Sequence, residues 1–107
     1  MPDYFVPPHH KGFQALKICG AQTGSFNDCS LAEIEPGGGG PSPSHTHPHD
    51  HLFIVLEGEA TLEIEGKKIS VKENDSYRVP GHLSHSVWNE SDQKVKMLGI
   101  SFIPIFP

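Results

Sequence analysis

The chain of 107 residues is short enough to form one domain around one hydrophobic core. Its 11 Gly and 10 Pro residues interrupt regular structure too often for long helices. A formal net charge of −5 argues against a nucleic-acid partner, and no apolar run reaches the roughly 18 residues that a membrane-spanning helix needs. Two cysteines are too few for a disulfide-rich secreted fold, so we expect a cytoplasmic protein.

Short apolar runs predict a series of β-strands along the chain. The first two runs are Phe13–Cys19 and Cys29–Ile34, with a turn-rich stretch between them, and a third run at 52–56 is apolar on both faces. Further strands are predicted at 60–65, 69–71, 77–79, 84–88 and 95–105. No segment has sustained helical periodicity. Many short strands separated by Gly and Pro turns predict an all-β sandwich or barrel.

The stretch Glu35–Ser44 contains four consecutive glycines flanked by prolines. This composition is compatible with a flexible linker, but a dense histidine cluster follows it at once. We therefore predict a loop that shapes a site and lets the chain pass close to another element or a ligand.

Histidines dominate the segment after this loop, at positions 45, 47, 49 and 51, and another histidine stands at position 85. On an extended strand, His45 and His47 leave the same face, close enough to share one metal ion. Pro48 and Asp50 turn the chain so that His51 opens the next strand beside this pair. Because imidazole is the commonest metal ligand in proteins, the pattern predicts a metal site.

The spacing of these residues resembles the two motifs of the cupin superfamily. The first motif is matched by Gly39, His45, His47 and Gly58, with His51 at the position of the family's Glu. The second motif is matched by Pro80, His85 and Asn89, whereas Asn74 and His82 replace its two glycines. The resemblance implies a small antiparallel jelly-roll barrel of two sheets, a single domain spanning 1–107 with its motif region at 39–89.

The resemblance also implies one divalent transition metal per chain (iron, manganese, nickel, zinc or copper), held by His45, His47, His51 and His85. Four neutral ligands leave the metal a stronger Lewis acid than a shell with a carboxylate, but they supply no internal base. His49 competes with His51 for the third position, although Pro48 and the turn favour a solvated or supporting role. We expect His9, His10 and His82 to be loop and terminus residues without partners.

Strand alternation predicts the walls of a substrate pocket. Phe53 and Val55 follow His51 on one face, Val87 follows His85, and Tyr77 and Arg78 lie one strand away as possible hydrogen-bond or anion partners. Such a mostly apolar pocket favours a small, partly apolar substrate.

The leading functional hypothesis is a mononuclear metal enzyme, a dioxygenase-type oxidoreductase acting on a small organic molecule. The alternatives are a nonredox isomerase or lyase and a noncatalytic ligand-binding or sensing module. The last strand, apolar on both faces, also predicts a homodimer, because one barrel covers only one of these faces.

Overall fold

The computed structural model describes residues 3–19 and 26–103, and these residues form eight β-strands and no helix. The strands are β1 Lys11–Cys19, β2 Phe26–His45, β3 Asp50–Glu57, β4 Glu59–Ile64, β5 Lys67–Lys72, β6 Ser76–Val79, β7 His85–Trp88 and β8 Val95–Phe102. The all-β architecture predicted from the sequence is confirmed. In this part of the chain no helix is long and apolar enough to cross a membrane.

All pairings are antiparallel, and the strands follow the order β5-β4-β7-β2-β8-β3-β6, with β1 on the free side of β2. The two ends of this order approach each other, because the turn after β5 bonds to β3: the Asn74 N–H donates to the Val55 carbonyl at 2.7 Å and the Val55 N–H to that of Asp75 at 3.0 Å. The sheet is thereby curled into a nearly closed barrel.

The two predicted sheets are layers of one continuous sheet, which β2 joins. Its first half, Phe26–Ile34, pairs with β1 and β8, and its second half, from Gly39 to His45, pairs with β7. The stretch Glu35–Ser44 is therefore part of a strand, and the prediction of a loop was wrong. Backbone pairing with β7 takes precedence there over the weak strand propensity of glycine.

The core lies between the two layers and is made of inward-facing aliphatic side chains. The most completely buried of these are Ile34, Val55, Ala60, Leu62, Val79, Val95 and Met97. In β4 the inward Leu62 and Ile64 alternate with more exposed polar residues, as the period of two predicts. The predicted last strand at 95–105 ends at Phe102, and its final two residues lie outside the described part of the chain.

Candidate metal centre

Three strands deliver histidines to one end of the barrel. His45, the last residue of β2, is the register partner of His85, the first residue of β7. His51 stands near the start of β3, between Ser101 of β8 and Val79 of β6. His47 and His49 lie in the connection between β2 and β3. Strand pairing therefore brings His85 to the cluster from 34 residues farther along the chain than His51.

His47 and His85 meet through their nitrogen edges, with their Nε2 atoms 3.0 Å apart. The Nδ1 of His47 lies 2.7 Å from the carbonyl oxygen of His49, and the Nδ1 of His85 lies 2.7 Å from that of Leu83. Because a carbonyl oxygen only accepts, each Nδ1 carries the proton, and in the neutral rings both Nε2 atoms are left with bare lone pairs. A cation between the two nitrogens would satisfy both lone pairs.

The rings of His45 and His51 complete the cluster around this contact. The centroid of His45 is 4.9 Å from that of His47 and 4.8 Å from that of His85, and the centroid of His51 is 4.7 Å from that of His47. The nitrogens of His45, His47 and His85 lie within 4.8 Å of one another, and so do those of His47, His49 and His51. Both groups contain His47, so they adjoin at this ring.

The cluster favours neutral imidazoles. Burial, and after it the neighbouring histidines, lower the pKa of His51 to about 3. Partial desolvation and then His85 and His47 lower the pKa of His45 to about 4, and burial also lowers the pKa of His85. Neutral rings are the form that binds metal, so the lowered pKa values of His45, His51 and His85 favour metal binding. The donor set thus fits a divalent transition ion.

His49 differs from the other histidines in how it meets His47. The two rings are stacked at a centroid distance of 3.8 Å with an interplanar angle of 5°. Stacking directs the face of His49, rather than its nitrogen edge, towards His47. His49 is nevertheless part of the cluster and is not a purely solvated turn residue.

Asp50 connects the histidine segment to the turn that precedes β7. Its side chain is buried, its Oδ1 accepts the Gly81 N–H at 2.9 Å, and its Oδ2 accepts from Arg78 at 2.9 Å. Burial opposes the ionisation of Asp50, but the Gly81 N–H and the Arg78 guanidinium together hold its pKa below the ordinary value. Gly81 is required at this point, because a Cβ there would collide with the carbonyl oxygens of His49 and His47.

A cavity of about 550 Å³ opens from the cluster into the barrel. His45, His47, His49, His51 and His85 all line it, and its walls are otherwise mostly apolar. Of the five predicted pocket residues, Phe53 and Val87 line this cavity, together with Met97 and Gly99 of β8.

Val55, Tyr77 and Arg78 do not line the cavity. Val55 points inward as alternation predicts, but it lies fully buried in the hydrophobic core. Tyr77 is 37% exposed. Arg78 binds Asp50, and its guanidinium carbon lies 4.9 Å from the centroid of the Phe102 ring, so its role is to hold this corner of the fold.

Two residues of the cavity wall whose side chains can accept or donate protons were not predicted from the sequence. His10, expected to be a terminal residue without a partner, lines the cavity and bonds through Nδ1 to the Pro8 carbonyl oxygen at 2.8 Å. Asp28 lines the cavity from the start of β2 and lies 3.7 Å from the Lys17 ammonium. Neither residue stands near the histidine motifs in the sequence, so spacing carried no signal for them. His9 and His82 are exposed.

Solved structures of varied description share this fold. A protein described as glyoxylate induced, from Pseudomonas aeruginosa, has a TM-score of 0.81 and 19% identity, with 94% of this chain covered and 39% of that one. The polyketide cyclase RemF from Streptomyces resistomycificus has a TM-score of 0.78 and 20% identity, covering 99% and 77% of the two chains.

A third similar structure is the cupin domain of an XRE family transcriptional regulator from Enterobacter cloacae. Its TM-score is 0.77 at 20% identity, with 88% of this chain and 99% of that one covered. At such identities the likeness establishes the fold alone. The present chain also spans only 39% of the Pseudomonas protein. No curated protein matches the chain.

The family itself is established from the sequence together with the barrel. The model of the family described as "Cupin domain" matches residues 30–101, about two-thirds of the chain. The match runs from β2 to β8 and includes every histidine of the cluster. The chain therefore belongs to the cupin family.

Proposed function

We propose that the protein is a mononuclear metal enzyme that binds one divalent transition ion through His45, His47, His51 and His85. The observation that supports this most strongly is the contact between the Nε2 atoms of His47 and His85 at 3.0 Å, with both Nδ1 protons committed to carbonyl oxygens. A bound cation would satisfy both lone pairs. The carbonyl partners would also hold the rings in orientation, as hydrogen-bond partners of ligand histidines commonly do.

His51 is preferred to His49 as a ligand because of how each ring is held. His51 lies on a strand, with its Nδ1 3.4 Å from the Ser101 Oγ, and its ring is edge-on to that of His47 at 87°. His49 is stacked face to face on His47. Comparison of His51→Ala with His49→Ala shows which of the two residues is the ligand. Metal content should fall sharply in His51→Ala and little in His49→Ala. The reverse result would assign the position to His49.

The leading activity is a dioxygenase-type oxidation of a small organic molecule with two metal-binding oxygens. A transition ion would supply Lewis acidity and, for iron, manganese, nickel or copper, redox capacity. The residues of the chain contribute the surroundings: Phe53, Val87 and Met97 exclude water from the cavity and contact the apolar part of the substrate. None of the four proposed ligands is a carboxylate, so a ligand base is not available for hydrolysis.

A nonredox isomerase or lyase is the second candidate, and Asp28 favours it. Its carboxylate lines the cavity and is the kind of group that accepts a proton from a polarised substrate. The similar structure of a polyketide cyclase is compatible with this alternative, and the regulator's cupin domain is compatible with binding without turnover.

Metal-loaded protein separates these activities. Protein loaded with iron, manganese, nickel or zinc is offered diketones, enediols and catechols while oxygen consumption and product formation are measured. Oxygen uptake with redox-active ions and none with zinc would support the oxidoreductase. Equal turnover with zinc and no oxygen uptake would favour the isomerase or lyase. Tight binding without turnover under every condition would favour the sensing module.

We also propose that the whole chain, 1–107, is a single domain that forms a homodimer. The support is the outer face of β8. Leu98 and Ile100 on this face are only half-buried, although β8 lies inside the sheet between β2 and β3. Leu52 and Ile54 of β3 stand opposite them in register. A second copy packed on this face would cover the apolar patch. Sedimentation should give a dimer at micromolar concentration, and Leu98→Lys should give a monomer with its metal site intact.

A cytoplasmic location stays a prediction from the sequence.

A further inference from the structure

The N-terminal residues Phe5–His10 form a strap along one wall of the cavity. At its start, Phe5 pairs with Ala15 of β1: the Phe5 N–H donates to the Ala15 carbonyl at 2.9 Å, and the reverse bond is 2.8 Å. At its end, the Ser42 N–H donates to the His9 carbonyl at 3.1 Å. Phe5, Pro7, Pro8 and His10 all line the cavity. The strap is thus fixed to both β1 and β2.

The glycine stretch of β2 leaves room for the end of this strap. A Cβ at Gly40 would lie 2.8 Å from the His9 carbonyl oxygen and 2.9 Å from the His10 ring. Gly40 has a φ of 146°, which side-chain-bearing residues rarely adopt. The absence of a side chain at Gly40 therefore lets the His10 ring rest directly on β2.

The His10 ring is held in one orientation. Its Nδ1 lies 2.8 Å from the Pro8 carbonyl oxygen, and its ring is edge-on to that of Phe13 at a centroid distance of 4.6 Å. Because the carbonyl only accepts, Nδ1 carries the proton of the neutral ring, and Nε2 is a hydrogen-bond acceptor. Among the described residues Nε2 has no hydrogen-bond partner. Within the described part of the chain, this acceptor is therefore open to a molecule in the cavity.

Apolar residues line the cavity together with His10. Phe5, Pro8, Phe13 and Pro41 are among them, and the ring of Phe13 contacts that of His10 directly, so a ligand group next to the His10 Nε2 meets mainly apolar side chains. The histidine cluster has a different role in the proposed function, because it would bind oxygen atoms of the ligand through a metal ion. His10 and His45 both line the cavity.

We propose that His10 recognises a hydroxyl group on the cavity ligand, which donates a hydrogen bond to Nε2. The proposal rests on the proposed function and names its substrate class: a small, mostly apolar molecule with a metal-chelating pair of oxygens at the histidine cluster and a separate hydroxyl facing the strap. A methoxy group in place of that hydroxyl leaves Nε2 without a donor and adds a methyl group beside it. His10 is a specificity residue in this scheme and takes no part in metal binding.

The test compares matched catechols on zinc-loaded, full-length protein under argon, where zinc prevents oxidation. One pair carries a hydroxyl or a methoxy group at C3 and a second pair carries them at C4, with the chelating oxygens unchanged. Calorimetry gives each Kd. The preference of a protein for the hydroxyl compound is the Kd of the methoxy compound divided by the Kd of the hydroxyl compound. The measured quantity is this preference in wild-type protein divided by the same preference in His10→Phe. This ratio should be about ten for at least one pair, because it reports the loss of one hydrogen bond.

Two further variants sharpen the result. His10→Gln keeps an acceptor oxygen near the same place and should retain most of the preference. His9→Asn changes an exposed neighbour with a positive φ of 66°, which Asn tolerates, and should bind like wild type. If His10→Phe does not fold, as judged by its melting temperature, the same comparison is made with His10→Leu.

The outcomes separate this proposal from the function on which it rests. Metal-dependent catechol binding with the same preference in wild type and in His10→Phe, for both pairs, would overturn the recognition role alone. If neither catechol of either pair binds, or if binding is unchanged in His85→Ala, the metal function fails and the recognition role fails with it.

Discussion

The two ends of β7 place polar groups in opposite situations. At one end, the Asn89 amide donates to the Ile34 carbonyl at 2.9 Å and to that of Gln93 at 2.7 Å, and its Oδ1 accepts the Ser91 N–H at 3.0 Å. At the other end, the His85 ring satisfies its Nδ1 on Leu83 but turns Nε2 to the Nε2 of His47. His85 is the first residue of β7, and Asn89 directly follows the last one, four positions farther along the chain.

The difference shows how one strand serves both folding and binding. Asn89 is 1% exposed and fully bonded within the protein, so its contacts stabilise the fold. His85 is also buried, but its Nε2 faces the Nε2 of His47, an arrangement that suits a bound cation. We therefore expect changes at the Asn89 end to lower stability, and changes at the histidine end to lower metal affinity.

The largest expected effect is on metal binding. His85→Ala should weaken the binding of Ni²⁺ or Zn²⁺ by more than about 100-fold, because it removes a proposed metal ligand. Loss of a hydrogen-bond partner of a ligand costs up to about 100-fold, and loss of the ligand itself should cost more. Calorimetry or metal analysis after dialysis measures it. His82→Ala, three residues away and exposed, should bind metal like wild type. Full occupancy in His85→Ala would remove the distinction between the two ends.

Asn89→Ala should lower the free energy of unfolding by about 2–3 kcal/mol, since it leaves buried carbonyls and an N–H without their partner. Urea titration of metal-free protein measures this loss. The metal affinity of the folded variant should not change. Glu90→Ala is the neighbouring control: it breaks an exposed ion pair with Lys68 and should cost less than about 1 kcal/mol. A variant that loses metal as readily as it loses stability would contradict the separation.

Acid should destabilise the metal-free protein through the histidine end. The pKa of His51 falls from 6.5 to about 3 in the folded state, so between these values the unfolded chain binds more protons and stability decreases as the pH falls. The contribution of His51 to this loss should be about 1.5 kcal/mol between pH 6.5 and pH 5, because the unfolded His51 is half protonated at pH 6.5 and the slope approaches about 1.4 kcal/mol per pH unit only below that pH. Urea titrations in the presence of a chelator measure it, and His51→Gln should flatten the slope. An equal slope in that variant would assign the dependence to other groups.

The smallest expected effect tests Asp50, which connects the histidine segment to Gly81. Asp50→Ala removes both hydrogen bonds and should lower metal affinity about tenfold by loosening the turn before His85. Asp50→Asn keeps an acceptor for Gly81 and should lose less. Arg78→Ala removes the half-exposed ion pair and the contact with the Phe102 ring but keeps the Gly81 bond to Asp50, and it should lose least. Equal metal affinities in all three variants, measured by calorimetry, would show that the turn holds its place without Asp50.

Local sequence patterns were sufficient for most of the strands and for part of the histidine cluster. The alternation of Ala60–Ile64 and the apolar run 52–56 predict strands, because the period of two is a property of neighbouring residues. The pair His45 and His47 predicts two donors on one face for the same reason. The matches to both cupin motifs then implied the barrel, which the structure and the family match confirm.

Only the tertiary structure decided which distant groups meet. The register of β2 with β7 places His85 opposite His45, and the strap places His10 in the cavity, although His10 lies 35 positions before His45 in the sequence. It also assigned Glu35–Ser44 to a strand, Val55 to the core and Arg78 to Asp50. Strand register and side-chain pairing depend on contacts between remote segments, and the pattern along one segment does not contain them.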